Sequence, residues 1–335
     1  MHRLEWIVDR PLAFGAAPTW HSAEKRLYWS DLTSGTLFRL DPVTGEHQTC
    51  LEDGRPIGGL TVQADGTLLL FRDQANVVVW RDGEIVQTII NSIADFRRTQ
   101  FTSAVAGPSG CVFCATQSDQ QHPGRLLQLG LDGHLNLISD IFGRPAGMGF
   151  GPEATAFYFN DAHGTHLTTW RYDYDPVADR LTRRSTFRDG ASMDDAGSPM
   201  GLTVDAGGNV WLSSWGGSAV MQCDAAGALL QRFTLPIMRP TGLCFGGENL
   251  DMLFMTSAGG HRRQLDGQHA GALARLTIPE VRGIPAYVSR IGLKAEAEAE
   301  ILSDVETSTD ADAAAGAGGD DVAGDRPLMD IAVAD

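Results

Sequence analysis

The sequence predicts an all-β protein, a six-bladed β-propeller followed by a disordered acidic C-terminal tail. Three observations carry this. Short apolar runs bounded by Gly, Asp and Asn recur as RLYWSD from residue 26, TLLLFR from 67, CVFCAT from 111, AFYFND from 156, NVWLSS from 209 and DMLFMT from 251. Their starts lie 41, 44, 45, 53 and 42 residues apart, a period typical of propeller blades. Past about residue 290 the composition changes abruptly.

Each run sits inside a larger unit. Segments such as GGLTVQADG, GLTVDAGG and GLCFGGEN precede the runs and read as a strand closed by a Gly-containing turn. SGTLFRLDPVTGE, QANVVVWRDGE, GRLLQLGLDGH, HLTTWRYDYD and GSAVMQCDAAGA follow them and read as a turn and a further strand. Three or four antiparallel strands cannot bury both faces alone and must stack on neighbours. Six units over residues 1–290 close a ring, with LEWIVDR near residue 4 or GALARLTIPE near 271 supplying the closing strand. A two-sheet sandwich is the alternative architecture, and the regular spacing favours the ring. Residues 291–335 are rich in Ala, Asp, Glu and Gly and lack aromatics, a composition that cannot bury a core.

Charge narrows the partners. The formal net charge is −16, but from residue 295 onward 12 acidic residues meet the single Arg326, a net −11, which leaves about −5 for the rest. No basic face is available for nucleic acid or for an anionic membrane surface. Glu5, Asp9 and Arg10 interrupt the place where a signal peptide needs an apolar run, so a cytoplasmic protein is expected. The five cysteines are scattered, which is no disulfide framework. Within CVFC, Cys111 and Cys114 stand three apart on a strand and point to opposite faces, so they are expected as core thiols rather than metal ligands.

The blade phrases resemble the family that includes regucalcin (senescence marker protein), gluconolactonase and luciferin-regenerating enzyme. The resemblance spans roughly residues 10–285. It opens with FGAAPTWHSAEKRLYWSDLTSGTLFRLDPVTGE, continues through FYFNDAHGTHLTTWRYDYD and GLTVDAGGNVWLSSWGGSAVMQCDAAGALLQRFTLP, and ends near PTGLCFGG, LFMTSA and VRGIP. It implies a sugar-lactone hydrolase fold with one divalent cation on the ring axis, held by a Glu, an Asn and an Asp from different blades beside a substrate-holding Arg and Asn. Such hard oxygen ligands would fix a cation able to polarise a lactone carbonyl. At the corresponding positions this chain has Ala16 in GAAP, Ala146 in PAGMGF and Met200 in PMGLTVD, with Gln100 and Thr102 of QFTSA at the Arg and Asn positions. No metal and no other cofactor is therefore expected on the axis.

If the blades correspond, Ala16, Gln100, Thr102, Ser103, Ala146 and Met200 line an axial pocket, neutral and partly apolar. Such a surface suits a small uncharged ligand, lactone or sugar-like or more apolar. The leading expectation is a metal-independent small-molecule-binding protein or enzyme. A lactone or ester hydrolase with a relocated cation is the alternative, with Asp194, Asp195 and His163 as acid–base candidates and His166 and His261 as further ligands. A non-catalytic propeller contacting a protein partner through its tail is the third reading. Asp31 and Asp161, which end the YWSD and YFND runs, are expected to bind turn backbone rather than to catalyse. No G-x-S-x-G elbow, P-loop or dinucleotide fingerprint occurs.

Overall fold

The computed structural model describes residues 2–96, 98–163, 166–190 and 197–293 of the chain. It is a six-bladed β-propeller of 24 strands, and the compact unit runs through Gly292. Blade 1 is β2 (Gly15–His21), β3 (Arg26–Asp31), β4 (Thr36–Leu40) and β5 (His47–Glu52). Blade 2 is β6 (Ile57–Val62), β7 (Leu68–Arg72), β8 (Val77–Arg81) and β9 (Glu84–Ile90). Blade 3 is β10 (Phe101–Ala106), β11 (Val112–Thr116), β12 (Gly124–Leu129) and β13 (Leu135–Phe142). Blade 4 is β14 (Pro145–Phe150), β15 (Ala156–His163), β16 (His166–Asp175) and β17 (Arg180–Asp189). Blade 5 is β18 (Ser198–Val204), β19 (Val210–Trp215), β20 (Ala219–Cys223) and β21 (Leu229–Thr234). Blade 6 takes β22 (Pro240–Gly246), β23 (Met252–Ser257) and β24 (Leu273–Thr277) from the end of the ring, and β1 (Arg3–Val8) from its beginning. Both segments named as closing candidates are used, because β1 pairs antiparallel with β24.

The core explains why the runs read as continuously apolar. Six hydrophobic clusters occupy the six blade interfaces, so the second strand of a blade is covered on both faces. In blade 3, Cys114 packs with Phe71 and Val79 of blade 2, while Cys111 and Phe113 pack with Phe150 and Phe157 of blade 4. The two CVFC sulfurs thus lie on opposite faces, as the strand geometry requires. Burial pushes the Cys111 thiol up to about 11 and the Cys114 thiol further, which leaves both protonated.

Polar residues in the same runs stitch neighbouring blades. Ser30 Oγ donates to the Ile57 carbonyl at 2.8 Å, Asn160 Nδ2 to the Met200 carbonyl at 3.1 Å, and Ser213 Oγ to the Thr241 carbonyl. Each sits one residue from the run's polar end and is fully buried. Around the axis the inner strands approach so closely that a Cβ on Gly58 would stand 1.7 Å from the Phe101 carbonyl oxygen. After β24 the chain crosses beneath the ring. Gly283 bridges Asp205 of blade 5, Ser289 bridges Gln63 of blade 2, and Ile291 donates its N–H to Gln63 Oε1 at 2.9 Å. Ile291 is wholly buried, so the folded chain reaches past residue 290. The acidic segment beyond Leu293 lies outside the described residues. Among the described residues no helix is long and apolar enough to cross a membrane.

Candidate functional site

The inner strands β2, β6, β10, β14, β18 and β22 surround one axial cavity of about 710 Å³. The crossing segment contributes Ile284 to Val288 to its lining as a floor, with Tyr287 packed edge-on to Phe150 at 5.9 Å. That segment binds Gln63 and Asp205, which follow the last residues of β6 and β18. We call the opposite end, at which the inner strands begin, the mouth. All six pocket residues named from the sequence line this cavity: Ala16, Gln100, Thr102, Ser103, Ala146 and Met200. Gln100 immediately precedes its inner strand and the others are second or third in theirs, so blades 1, 3, 4 and 5 bring them together at the mouth end.

Ala16 and Ala146 are 6% and 3% exposed, and their methyl groups pave the wall. Thr102 Oγ1 donates to the Ala115 carbonyl at 3.3 Å, which fixes its rotamer and leaves its lone pairs as acceptors. Among the described residues lining the cavity there is no Asp or Glu. Burial raises the Tyr287 phenol and pushes the Cys244 thiol up to about 12, so both lining groups are neutral.

The three positions where the resemblance places cation ligands offer two methyls and a thioether to the cavity. A hard cation needs carboxylate or carbonyl oxygens, and these side chains do not fit one. Among the described residues no group of three or more His, Cys, Asp or Glu is placed to hold a metal ion. Asp194 and Asp195 lie outside the described residues, as do the side chains of His163 and His166. His261 is exposed on the short turn Gly260–Arg262 and does not line the cavity.

Asp31 and Asp161 do what strand-ending aspartates were expected to do. Asp31 accepts from the backbone N–H groups of Ala13, Phe14 and Thr33 at 3.2, 3.3 and 3.0 Å. Asp161 accepts from those of Gly143 and Arg144 at 3.1 and 2.8 Å. Both therefore hold the loop that delivers an inner strand to the mouth.

Several lining residues escaped the sequence reading. Gln117 follows β11, His21 ends β2 with Nε2 3.0 Å from the Gly66 carbonyl, and Thr241 donates to the Gly15 carbonyl at 2.6 Å. More consequential is Arg144, which precedes Pro145 and brings a formal positive charge to the mouth. Its position directly ahead of the PAGMGF phrase was the available signal.

The site is an axial cavity within a closed six-bladed ring, and its described lining holds no Asp, Glu or Lys and one Arg, Arg144. The chain belongs to the SMP-30/Gluconolactonase/LRE-like family, whose characteristic region matches residues 14–259. It is 37% identical over 296 residues to the pentonolactonase XacC of Haloferax volcanii, covering 86% of this chain and 98% of that one. It is 26% identical to the 6-deoxy-6-sulfogluconolactonase of Pseudomonas putida over 76% of this chain and 87% of that one. Among solved structures, a luciferin-regenerating enzyme superposes with a TM-score of 0.79 at 20% identity, covering 87% of this chain and all of the other.

Proposed function

We propose that this propeller is a sugar-lactone hydrolase that binds its substrate at the cavity mouth and works without the cation the family resemblance implies. The full-length similarity to a pentonolactonase carries the lactone part. The side chains at Ala16, Ala146 and Met200 support the metal-independent part, since none supplies a hard oxygen ligand.

In this reading the lactone ring lies against the Ala16, Ala146 and Met200 wall, while Gln100, Thr102 and Ser103 exchange hydrogen bonds with its hydroxyls and ring carbonyl. A neutral amide donor aimed at the carbonyl oxygen stabilises the charge that develops there as water adds. The proton of that water needs an acceptor, and Asp194, Asp195 and His163 are the groups assigned to that duty, on the strength of their chain position beside the mouth strands. Addition of water to the acyl carbon, followed by cleavage of the ring C–O bond with the abstracted proton returned to the departing ring oxygen, gives the open-chain hydroxy acid.

The test is acid release from pentono-1,4-lactones and glucono-1,5-lactone, followed with a pH indicator against the spontaneous rate, with and without EDTA. The expected result is an acceleration that chelator leaves unchanged and that falls at least about tenfold in one of Asp194→Asn, Asp195→Asn or His163→Gln. Hydrolysis abolished by chelator and restored by a divalent ion would replace it with the metal-dependent reading. A second reading, ligand binding without turnover, is favoured by the lack of any carboxylate in the described lining. It predicts stabilisation by lactones with no acid released.

A further inference from the structure

The mouth is not as neutral as its wall. Arg144 lines it from blade 4, and its guanidinium carbon lies 5.5 Å from the centroid of the Trp215 ring of blade 5. From blade 6, Arg239 places its guanidinium carbon 5.2 Å from the same centroid. Phe14, which also lines the mouth, stacks on Trp215 at 5.5 Å. Two cations gathered on one aromatic ring repel each other, and the arrangement is favoured when an anion shares them.

Among the described residues, the neighbouring charges leave that demand unmet. Arg239 is held by the buried Asp266 carboxylate at 3.3 Å, and Arg262 reaches the same carboxylate at 3.8 Å, so one acid serves two guanidinium groups. Among the described residues Arg144 has no ion-pair partner; its backbone N–H is fixed by Asp161 while its side chain is exposed over Trp215. All this occurs in a chain of net charge −16, where acidic groups are abundant but none of the described lining residues is one. A positive charge at the entrance of a low-dielectric cavity concentrates anions there.

We propose that Arg144, positioned on Trp215, is a carboxylate-binding subsite that takes the ionised group of a sugar acid, with Arg239 reinforcing the field. The planar guanidinium matches a carboxylate with two parallel N–H···O bonds, which an ammonium cannot do. The proposal rests on the lactone reading only for the polyhydroxylated body of the ligand. Two sources share the chemistry: the open-chain product of lactone hydrolysis, and a lactone that carries a second carboxyl group.

The experiment is titration calorimetry of the full chain with sodium gluconate, using glucitol as the uncharged probe of equal length, at low ionic strength. Gluconate is expected to bind at least about tenfold more tightly than glucitol, which is the scale of one charge-assisted hydrogen-bonded contact. Arg144→Gln should remove that advantage without changing glucitol affinity, and Arg144→Lys should restore part of it. Equal affinities in the natural protein, or a gluconate affinity indifferent to Arg144→Gln, would overturn the proposal. Comparison of saccharic acid 1,4-lactone with glucono-lactone separates the sources. An Arg144-dependent preference for the acidic lactone places the subsite on the substrate, and equal handling with Arg144-dependent gluconate inhibition places it on the product. Arg144-dependent gluconate binding without any lactone hydrolysis would sustain the subsite and remove the hydrolase reading.

Discussion

Met200, Ala16 and Ala146 place a thioether and two methyl groups where the family resemblance puts cation ligands, and such side chains give a hard cation nothing to exchange for its water. Supplying the missing oxygens is expected to reverse that. The triple variant Ala16→Glu, Ala146→Asn, Met200→Asp should bind calcium measurably by calorimetry where the natural chain does not, and equal binding by the two would contradict the role given to these positions. The thiols give a second expectation at this scale. Burial raises Cys111 and Cys114 in the folded state above the ordinary cysteine value of about 8.5. The unfolded chain therefore releases these protons first, and stability falls as pH rises above about 8.5. At pH 8 both should resist a thiol reagent until the protein is unfolded, as counted by modified-thiol mass. Residue by residue, the six pocket positions were legible because phrases such as GAAP, PAGMGF and PMGLTVD fix where an inner strand begins. Arg144 was not, since its importance comes from a ring on another blade, Trp215, 71 positions away along the chain.

The inner strands form the wall because their backbones nearly touch from blade to blade. Gly58 faces the Phe101 carbonyl and Gly201 the Thr241 carbonyl, with Cβ positions that would fall 1.7 and 2.1 Å from oxygen. Gly58→Ala must push β6 and β10 apart, and it is expected to cost on the order of 3 kcal/mol in urea unfolding. A loss below about 1 kcal/mol would mean that the strands shift freely and that the cavity wall is not rigid. At this level the second strands were visible in the sequence and the contacts between blades were not. Apolar runs such as CVFCAT gave the second strands, since both faces of those strands are buried. The duties of Ser30, Asn160 and Ser213 were hidden, because a hydrogen bond to the next blade's backbone leaves no pattern within one phrase. The floor made by Ile284 to Val288 was hidden for a related reason: VRGIPAYV has no strand period, and its place is set by bridges to Gln63 and Asp205 in distant blades.

At the scale of the whole molecule, the ring closes through one pairing between the ends of the propeller, β1 with β24. Leu4, Trp6 and Val8 contribute to the clusters on either side of blade 6, so the closing strand adds packing as well as backbone hydrogen bonds. Deleting residues 2–8 exposes β24 as a sheet edge and is expected to lower Tm by at least about 10 °C in calorimetry, given a loss of several kcal/mol in a chain of this size. An unchanged Tm would mean that the other interfaces hold the ring without its clasp. The ring was legible because its period is long-range and repeated six times, whereas the polarity of its mouth is a property of the assembled blades. Closure holds Gln100, Thr102, Ala146 and Met200 around one axis, and the proposed function rests on that grouping. The most direct measurement is elemental analysis of the full chain after incubation with calcium, zinc and manganese and exhaustive dialysis. Less than about one-tenth of an equivalent of any metal is expected, since Ala16, Ala146 and Met200 offer no hard oxygen ligand; one equivalent retained per chain would contradict this and return the cation to the centre of the mechanism.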